Sequence, residues 1–495
     1  MSLDKKKNHK LSKAEFEGRL PELRSRLLEA QFALRKLNKP VIVIVAGLDG
    51  AGKGEVIHRL NEWLDPRGLE TNAFLAKTDD EKQRPRFWRY WKAMPARGKM
   101  AIYFGSWYTG PILRRVHGSL SEEQLQHNLE RINRHEQMLE VDGYLIVKIW
   151  LHVSRRTQEK RFNKFSDKED RWHILPLDWE HFQQYDDYDK VSRKVIDATN
   201  TTLNPWYVIP AKNSAYRDIA VGETLANAME AAISNEEQDS MRADDGWKLP
   251  EGRRVAMGDY LSEVDLSQAL EKGAYNDQLR TYQDRLNRLV MRAWQEKVCS
   301  VLVFEGWDAA GKGSAIRRVT NAIDPRLFRI IPVAAPTDEE HGHHYLWRFW
   351  RHLPAAGRMT IYDRSWYGRV LVERIEGFAS DVEWRRAYDE MKDFEAQLVE
   401  HGMILGKFWL HVSKEEQMKR FTKRTKTAWK RHKITDEDWR NREKWNQYED
   451  AVNDMVGLTS TEQMPWTLVP GNDKRFARIA ILKEVCRLFE QRLDS

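Results

Sequence analysis

Two eight-residue segments carry the residue types that bind phosphate, GLDGAGKG at 47 to 54 and GWDAAGKG at 306 to 313. In such a segment glycines let backbone N–H groups turn inward around phosphate oxygens, and a lysine at the head of the next helix adds positive charge. Gly306, Gly311, Gly313 and Lys312 take these parts in the second copy, and Lys53 is the counterpart of Lys312 in the first. The usual motif ends in Ser or Thr, whose hydroxyl binds magnesium. Both copies end instead in glycine, Gly54 and Gly313, and Ser314 comes one position late. A metal then needs other oxygens, and Asp308 inside the loop is the candidate.

Asp363 is the second carboxylate of interest. It closes the apolar run MTIYD (359 to 363), where a Walker B carboxylate points at the phosphate site along the carboxyl edge of a sheet. Its bland alternative is a helix N-cap. Arg364 and Arg369 follow it, and guanidinium forks suit phosphate oxygens and the charge on a phosphoryl group in flight. A third element is KEEQMKRFTKRTKTAWKRHK (414 to 433), with nine Lys or Arg and two Glu. Arg420, Lys423 and Arg424 fall at i, i+3 and i+4, so a helix would set three cations on one face. The reading is a basic lid over phosphates, against a merely solvated face.

The first copy departs from this set. The spacing between copies is 259 residues (306 minus 47), and it holds at the DPR triplets (65 to 67, 324 to 326) and at SWY (106 to 108, 365 to 367). Phe104 then stands where Asp363 does, Gly105 and Gly110 replace Arg364 and Arg369, Arg114 replaces Glu373, and Phe165 replaces Arg424. Asp49 and Lys53 remain. One working site and one inactive copy is the expectation.

The elements that must position these residues repeat as well. VIVIVAGLDG and VLVFEGWDAA are near-continuous apolar runs ending in glycine-rich turns, the pattern of a buried parallel strand feeding a helix. Further apolar runs are MAIYF or MTIYD, then YLIVKIWLHVS or MILGKFWLHVS, and finally WYVIP or WTLVP. Each repeat is therefore α/β, a parallel sheet flanked by helices. The repeat spans predict domains at 12–235 and 266–495 with a polar linker at 236–265. Helical runs at 12 to 37 and 266 to 296 precede each core. The offset becomes 260 by Pro205 and Pro465, so one residue was gained or lost, between Phe165 and Asp178, in the segment read as a mobile lid.

Composition narrows the classes. The chain has 495 residues, a formal charge of +7 and two cysteines, Cys299 and Cys486. So few cysteines make no disulfide framework, and no long apolar run suggests a membrane span, so a cytoplasmic protein is expected. The charge favours anionic partners without choosing among them. Twenty Trp, many beside Arg or Lys, read mostly as core aromatics with Arg stems packed across them.

Taken together, GWDAAGKG, DPR, PTDEE (336 to 340), YLWRFW (345 to 350), LPAAG (353 to 357), DRSWYGRVLVERIEGF (363 to 378) and the basic segment resemble the family-2 polyphosphate kinases, in their tandem-domain class. The likeness covers nearly all of the second repeat and, eroded, the first. It implies two tandem P-loop kinase-like domains of thymidylate-kinase-like fold with a basic helical lid. It implies phosphoryl transfer from inorganic polyphosphate to AMP, giving ADP, with magnesium held by Asp308 and Asp363. Lys312, Arg364 and Arg369 then complete the catalytic set; Gly306, Gly311, Gly313, Ser314, Arg420, Lys423 and Arg424 bind phosphate. No nucleic acid and no membrane partner are expected, and homo-oligomerisation stays open. Transfer to nucleoside diphosphates, an ATP-dependent P-loop kinase, and a nucleic-acid binder that needs no Asp363 are the rivals. His343 and His344 leave a phosphohistidine formally open.

Overall fold

The computed structural model describes residues 10–166, 184–242, 258–426 and 436–494. Residues 427–433 of the basic segment, and most of the predicted insertion site, lie outside them. The chain divides into two compact units. The first comprises Met1–Lys77, Arg89–Trp247 and Asp338–His344; the second comprises Thr78–Trp88, Lys248–Thr337 and Tyr345–Ser495.

The first unit holds a parallel sheet of β1 (Val41–Gly47), β2 (Leu69–Ala73), β3 (Met100–Phe104), β4 (Leu145–His152) and β5 (Trp206–Pro210), in the order β2-β3-β1-β4-β5. The second repeats it with β6 (Ser300–Gly306), β7 (Phe328–Pro332), β8 (Met359–Asp363), β9 (Ile404–His411) and β10 (Trp466–Pro470), so that β6 is central between β8 and β9. Helices cover both faces, which is why the central strands are apolar on both sides: Val301 to Phe304 are all 0% exposed. Burying each such side chain is worth roughly 1.5 to 3 kcal/mol.

Sequence pattern predicts four strands per unit and the structure has five. The strands missed, β2 and β7, sit at the sheet edge, pair on one side only and are largely exposed. An edge strand with both faces toward solvent carries no apolar run to find. Both predicted leading helices pack on their own units. Lys13–Lys36 starts at a capping box of Ser12 and Glu15, and its Arg26 pairs with Glu230 at 2.7 Å. In Lys272–Gln295 the pairs are Arg285 with Glu490 at 2.5 Å and Arg292 with Asp494 at 2.6 Å. Both ends of the predicted linker are ordered parts of the units: a helix runs on to Arg242, and Leu261, 2% exposed, donates its N–H to Asn453 Oδ1 at 3.1 Å.

Each unit also buries one charged network behind the SWY turn. Lys407 on β9 meets Glu395 at 2.9 Å, the Tyr367 hydroxyl at 3.1 Å and the Thr459 carbonyl at 2.9 Å, while Trp366 Nε1 donates to Glu395 at 3.0 Å. Lys148 repeats this with Glu136, Tyr108 and Thr199 at 2.8, 3.2 and 2.7 Å. A lone buried charge would be costly; here each is paired and hydrogen-bonded. These networks fix the turn from which Arg364 and Gly105 project.

Candidate active site

The site of the second unit starts where β6 ends. A side chain at Gly306 would put its Cβ 2.6 Å from the Leu410 carbonyl oxygen, so only glycine lets the chain leave the sheet here. The loop then turns through Ala309 at φ +60° and Gly311 at φ +117° into the helix Lys312–Thr320. Lys312 Nζ donates to the Gly306 carbonyl at 2.6 Å, which folds the ammonium back over the loop it will share with a ligand.

Asp363 ends β8 in register with Phe304 on β6 and Pro332 on β7, so strand pairing delivers its carboxylate to the same edge as the loop. Oδ2 lies 3.9 Å from where a Cβ would stand on Gly313. Its side chain has no hydrogen-bond or ion-pair partner among the described residues, whereas Asp308 is held at both oxygens. Arg364 Nη2 donates to Asp308 Oδ1 at 3.2 Å and Asn441 Nδ2 to Oδ2 at 2.9 Å. Arg364 sits at φ +66°, with its N–H on the Phe304 carbonyl at 3.0 Å. That strained turn aims the guanidinium across the loop to Asp308 and to Glu437 at 3.3 Å. Burial would weaken its charge, but Asp308, Glu437 and Glu305 outweigh burial and hold the guanidinium firmly protonated.

Glu305, Gly306, Trp307, Asp308, Lys312 and Arg364 line one cavity, with Leu371, Val372, Trp409, Asn441 and Tyr448 forming its other walls. Trp307 stacks on Trp445 at 3.8 Å and 7°, and its Nε1 donates to His411 Nδ1 at 3.0 Å. One side of the cavity is therefore aromatic and apolar and the other highly charged.

The other expected site residues lie outside the cavity lining. Arg420 is 5% exposed and spends its guanidinium on backbone carbonyls: Nη1 to Ala309 and Ala310 at 3.1 and 2.7 Å, Nη2 to Gly471 and Asn472 at 2.6 and 3.0 Å, with Nε on Glu416 at 2.7 Å. It braces the loop from behind rather than facing phosphate from a lid. Lys423 is exposed and Arg424 half-buried on the same helix, so Arg420 and Lys423 do not share an outward face. Arg369 pairs with Glu373 at 3.0 Å and lies 4.6 Å from the Tyr345 ring, outside the cavity lining. The Ser314 hydroxyl accepts from Arg478 at 2.7 and 3.0 Å, and this leaves its proton free to donate. His343 Nδ1 bonds to the Glu339 carbonyl at 2.8 Å, and His344 is 1% exposed.

Glu305 is the main residue the sequence reading passed over. It is 5% exposed on the cavity floor and accepts from the Ser365 hydroxyl at 2.7 Å. Burial pushes its carboxyl up, opposed by Lys312, Ser365 and Arg364. A carboxylate at the end of an otherwise apolar strand, with Ala46 in the other copy, was the available signal. Asn441, Glu437 and Gln417, which donates to the Asp308 carbonyl at 3.1 Å, gave none, because nothing in their spacing ties them to the loop.

The first unit builds the same loop and closes it. Lys53 Nζ reaches both the Gly47 carbonyl at 2.9 Å and Asp49 Oδ1 at 2.6 Å. Arg161 and Gln158 brace the loop as Arg420 and Gln417 do, Gln158 donating to the Asp49 carbonyl at 2.8 Å. Arg217, 1% exposed, presses so close that a Cβ on Gly52 would stand 1.8 Å from its Nη1.

Both halves of the chain match the family described as Polyphosphate kinase 2, at residues 10–237 and 269–494. A polyphosphate:AMP phosphotransferase of Pseudomonas aeruginosa is 46% identical over 96% of this chain and 96% of its own length. The protein of the same name from Pseudomonas syringae pv. tomato is 44% identical over 98% and 97%. That of Acinetobacter johnsonii is 36% identical over 95% and 96%. A crystal structure of a polyphosphate kinase 2 from Pseudomonas aeruginosa PA01 is similar at a TM-score of 0.87 and 44% identity, over 99% of this chain and 98% of that one. With a duplicated α/β fold, a glycine-rich loop at the same place in each unit and matches to both repeats, the chain belongs to the polyphosphate kinase 2 family.

Proposed function

We propose that the second unit transfers a phosphoryl group from inorganic polyphosphate to AMP, giving ADP and a chain one unit shorter, with magnesium as the metal. The carrying observation is that Lys312, Asp308 and Arg364, from two strand ends, meet in one cavity, while Asp363, next to Arg364, has its carboxylate 3.9 Å from where a Cβ would stand on Gly313 of the loop. Full-length relatives named polyphosphate:AMP phosphotransferase support the choice of donor and acceptor.

In the step, an oxygen of the AMP phosphate forms a bond to the terminal phosphorus of the donor. The anhydride P–O bond breaks and its electron pair leaves with the shortened chain. An AMP phosphate has its second pKa near 6, so it attacks largely ionised and needs no strong base. The protein's task is alignment and charge. The loop N–H groups and Lys312 hold the terminal phosphate, and Arg364 sits where charge spreads onto the moving phosphoryl group. Leu371, Val372, Trp409 and Tyr448 give a nucleoside an apolar wall.

The donor set fits magnesium. Asp363 has an unpartnered carboxylate facing the loop, and Asp308 is held only by neutralising donors that a dication can displace. Among the described residues no group of three or more His, Cys, Asp or Glu is arranged to hold a metal. Magnesium typically binds through one or two carboxylates plus phosphates and water, so Asp308 and Asp363 suffice. When bound, it would neutralise phosphate oxygens.

A panel of AMP with polyphosphate or ATP, resolved by chromatography, tests the reading. ADP is expected with polyphosphate as donor and only with divalent metal present. ADP from ATP and none from polyphosphate would replace it with an ATP-dependent kinase.

A further inference from the structure

The chain that follows the SWY turn takes two different shapes. In the first unit it is one α-helix, Thr109–Val116; in the second the same stretch is a 3-10 helix, Trp366–Val370, and then a separate four-residue α-helix, Val372–Ile375. The break falls at Leu371, whose backbone leaves helical geometry at φ −108° and ψ −99°. It matters to the site, because Gly368, Leu371 and Val372, on either side of the break, line the same cavity as Asp308 and Lys312.

A helix of four residues has too few internal hydrogen bonds to hold a position of its own. Side chains hold this one. Arg369, just before the break, pairs with Glu373, just after it, at 3.0 Å, and it also lies 3.9 Å from Glu383 and 4.6 Å from the Tyr345 ring. Arg374 donates to Asp454 at 2.9 Å and to the Tyr388 hydroxyl at 3.1 Å, and lies 4.0 Å from the Trp384 ring. The side chains of Arg369 and Arg374 are only 13% and 14% exposed, so solvent and salt screen these pairs weakly.

The duplicated fold supplies an internal control. At the positions of Arg369, Glu373 and Asp454 the first unit has Gly110, Arg114 and Lys194. Arg115, the counterpart of Arg374, pairs instead with Glu122 at 3.3 Å, and Lys194 binds the same carboxylate. The two ion pairs and the break thus occur together in the second unit, and the first unit has a continuous helix without them.

We propose that Arg369 and Glu373 are positioning residues for the acceptor: their ion pair holds the break, and the break presents Leu371 and Val372 as the wall on which the nucleoside of AMP rests. Arg374 and Asp454 anchor the same short helix from another side. The inference rests on the AMP reading above and gives Arg369 a part other than the phosphate contact its place after Asp363 implies. Arg369 and Glu373 are the residues to change, because removing Arg374 would leave the carboxylate of Asp454 buried and unpaired.

The experiment measures kcat and the KM values for AMP and long-chain polyphosphate in the native protein, Arg369→Ala, Arg369→Lys, Glu373→Ala and the double alanine variant, with unfolding midpoints to verify folding. KM for AMP should rise about five- to ten-fold in each single alanine variant, with KM for polyphosphate and kcat within about two-fold of native, the pattern of lost acceptor binding. Arg369→Lys keeps the charge and should recover most of the loss. The double variant should be no worse than either single one, since each already breaks the same pair. Glu373→Ala carries the test alone if Arg369→Ala does not fold. A higher KM for polyphosphate, or a lower kcat with KM for AMP unchanged, would return Arg369 to the phosphates and overturn the proposal; additive effects, or no change in any constant, overturn it as well. A titration of AMP without donor reads the wall apart from turnover, and equal affinities in native and variant proteins overturn it. A native protein that binds AMP yet makes no ADP from polyphosphate would instead remove the proposed reaction, so the two failures are distinguishable.

Discussion

Lys53 and Lys312 occupy the same place in the same motif, yet one is neutralised inside its own loop and the other is not. Lys53 sits 2.6 Å from Asp49, four residues before it. In the second unit the matching Asp308 is drawn off by Arg364 and Asn441, and Lys312 rests on the carbonyl oxygens of Gly306 and Trp307. The space differs too, since nothing lies within 4 Å of a Cβ built on Gly311, while Gly52 is covered by Arg217. Having Phe104 in place of a carboxylate and Gly105 in place of an arginine therefore does more than remove two groups. With no Arg364 equivalent to hold Asp49 away, the loop carboxylate and lysine collapse onto each other.

What both units keep is equally informative. The buried Lys148 and Lys407 networks agree within 0.2 Å in their matching distances. The loop braces Arg161 and Arg420 use the same carbonyl pattern. Retention of a group in the copy that has Phe104 for Asp363 marks it as part of the scaffold, which is why Arg420 reads as structural and Asp363 does not.

The largest effect expected from breaking this contrast comes from the residues unique to the second unit. Asp363→Asn should lower turnover by about 10²- to 10³-fold with an unchanged unfolding midpoint, as for loss of one group aimed at developing charge. Lys312→Ala should fall as far, and Lys53→Ala should stay within about two-fold of the native rate. Steady-state rates of ADP formation for the three variants, measured side by side, decide it. A collapse in Lys53→Ala would mean that the first unit takes part in the chemistry.

Much of this was legible beforehand, for physical reasons. Parallel central strands announce themselves because both faces are buried, and a phosphate loop because only glycines allow its turns. The loop, Asp363 and the asymmetry between copies were all within reach. Edge strands β2 and β7 were not, since exposure removes their apolar signature. Arg420 misled because a basic run gives the spacing of cations but not which of them turns inward onto backbone carbonyls. Asn441 was hidden since its contact with Asp308 spans 133 residues.

A smaller effect isolates Glu305. It links the two strand ends by accepting from Ser365, and the first copy has Ala46 at this position. Glu305→Ala should reduce kcat by about 10- to 100-fold, the range for groups that orient others. The unfolding midpoint should not fall, because the buried carboxyl already bears a desolvation cost. Activity within two-fold of native would show that the turn carrying Asp363 and Arg364 needs no such tie.

The smallest effect concerns how each loop is anchored to its sheet. His411 accepts the Trp307 N–H at 3.0 Å, and burial, opposed by Asp259, brings its imidazole down to about 4. In the first unit Leu48 replaces Trp307, and His152, also lowered by burial, has Asp189 at 3.8 Å to favour its protonation. A depressed histidine favours the neutral form in the folded state, while the unfolded chain takes up the proton as pH falls through the ordinary value near 6.5. The contribution is therefore full above that pH and lost toward 4, amounting to about 1.4 kcal/mol by pH 5.5. Unfolding midpoints of the second unit's transition between pH 7 and 5 should show this decline in the native protein and a shallower one in His411→Gln, which stays neutral. Because a protonated His411 has no lone pair for the Trp307 N–H, the same titration should move the tryptophan environment of the active loop, and an identical slope in His411→Gln would show that this histidine does not hold it.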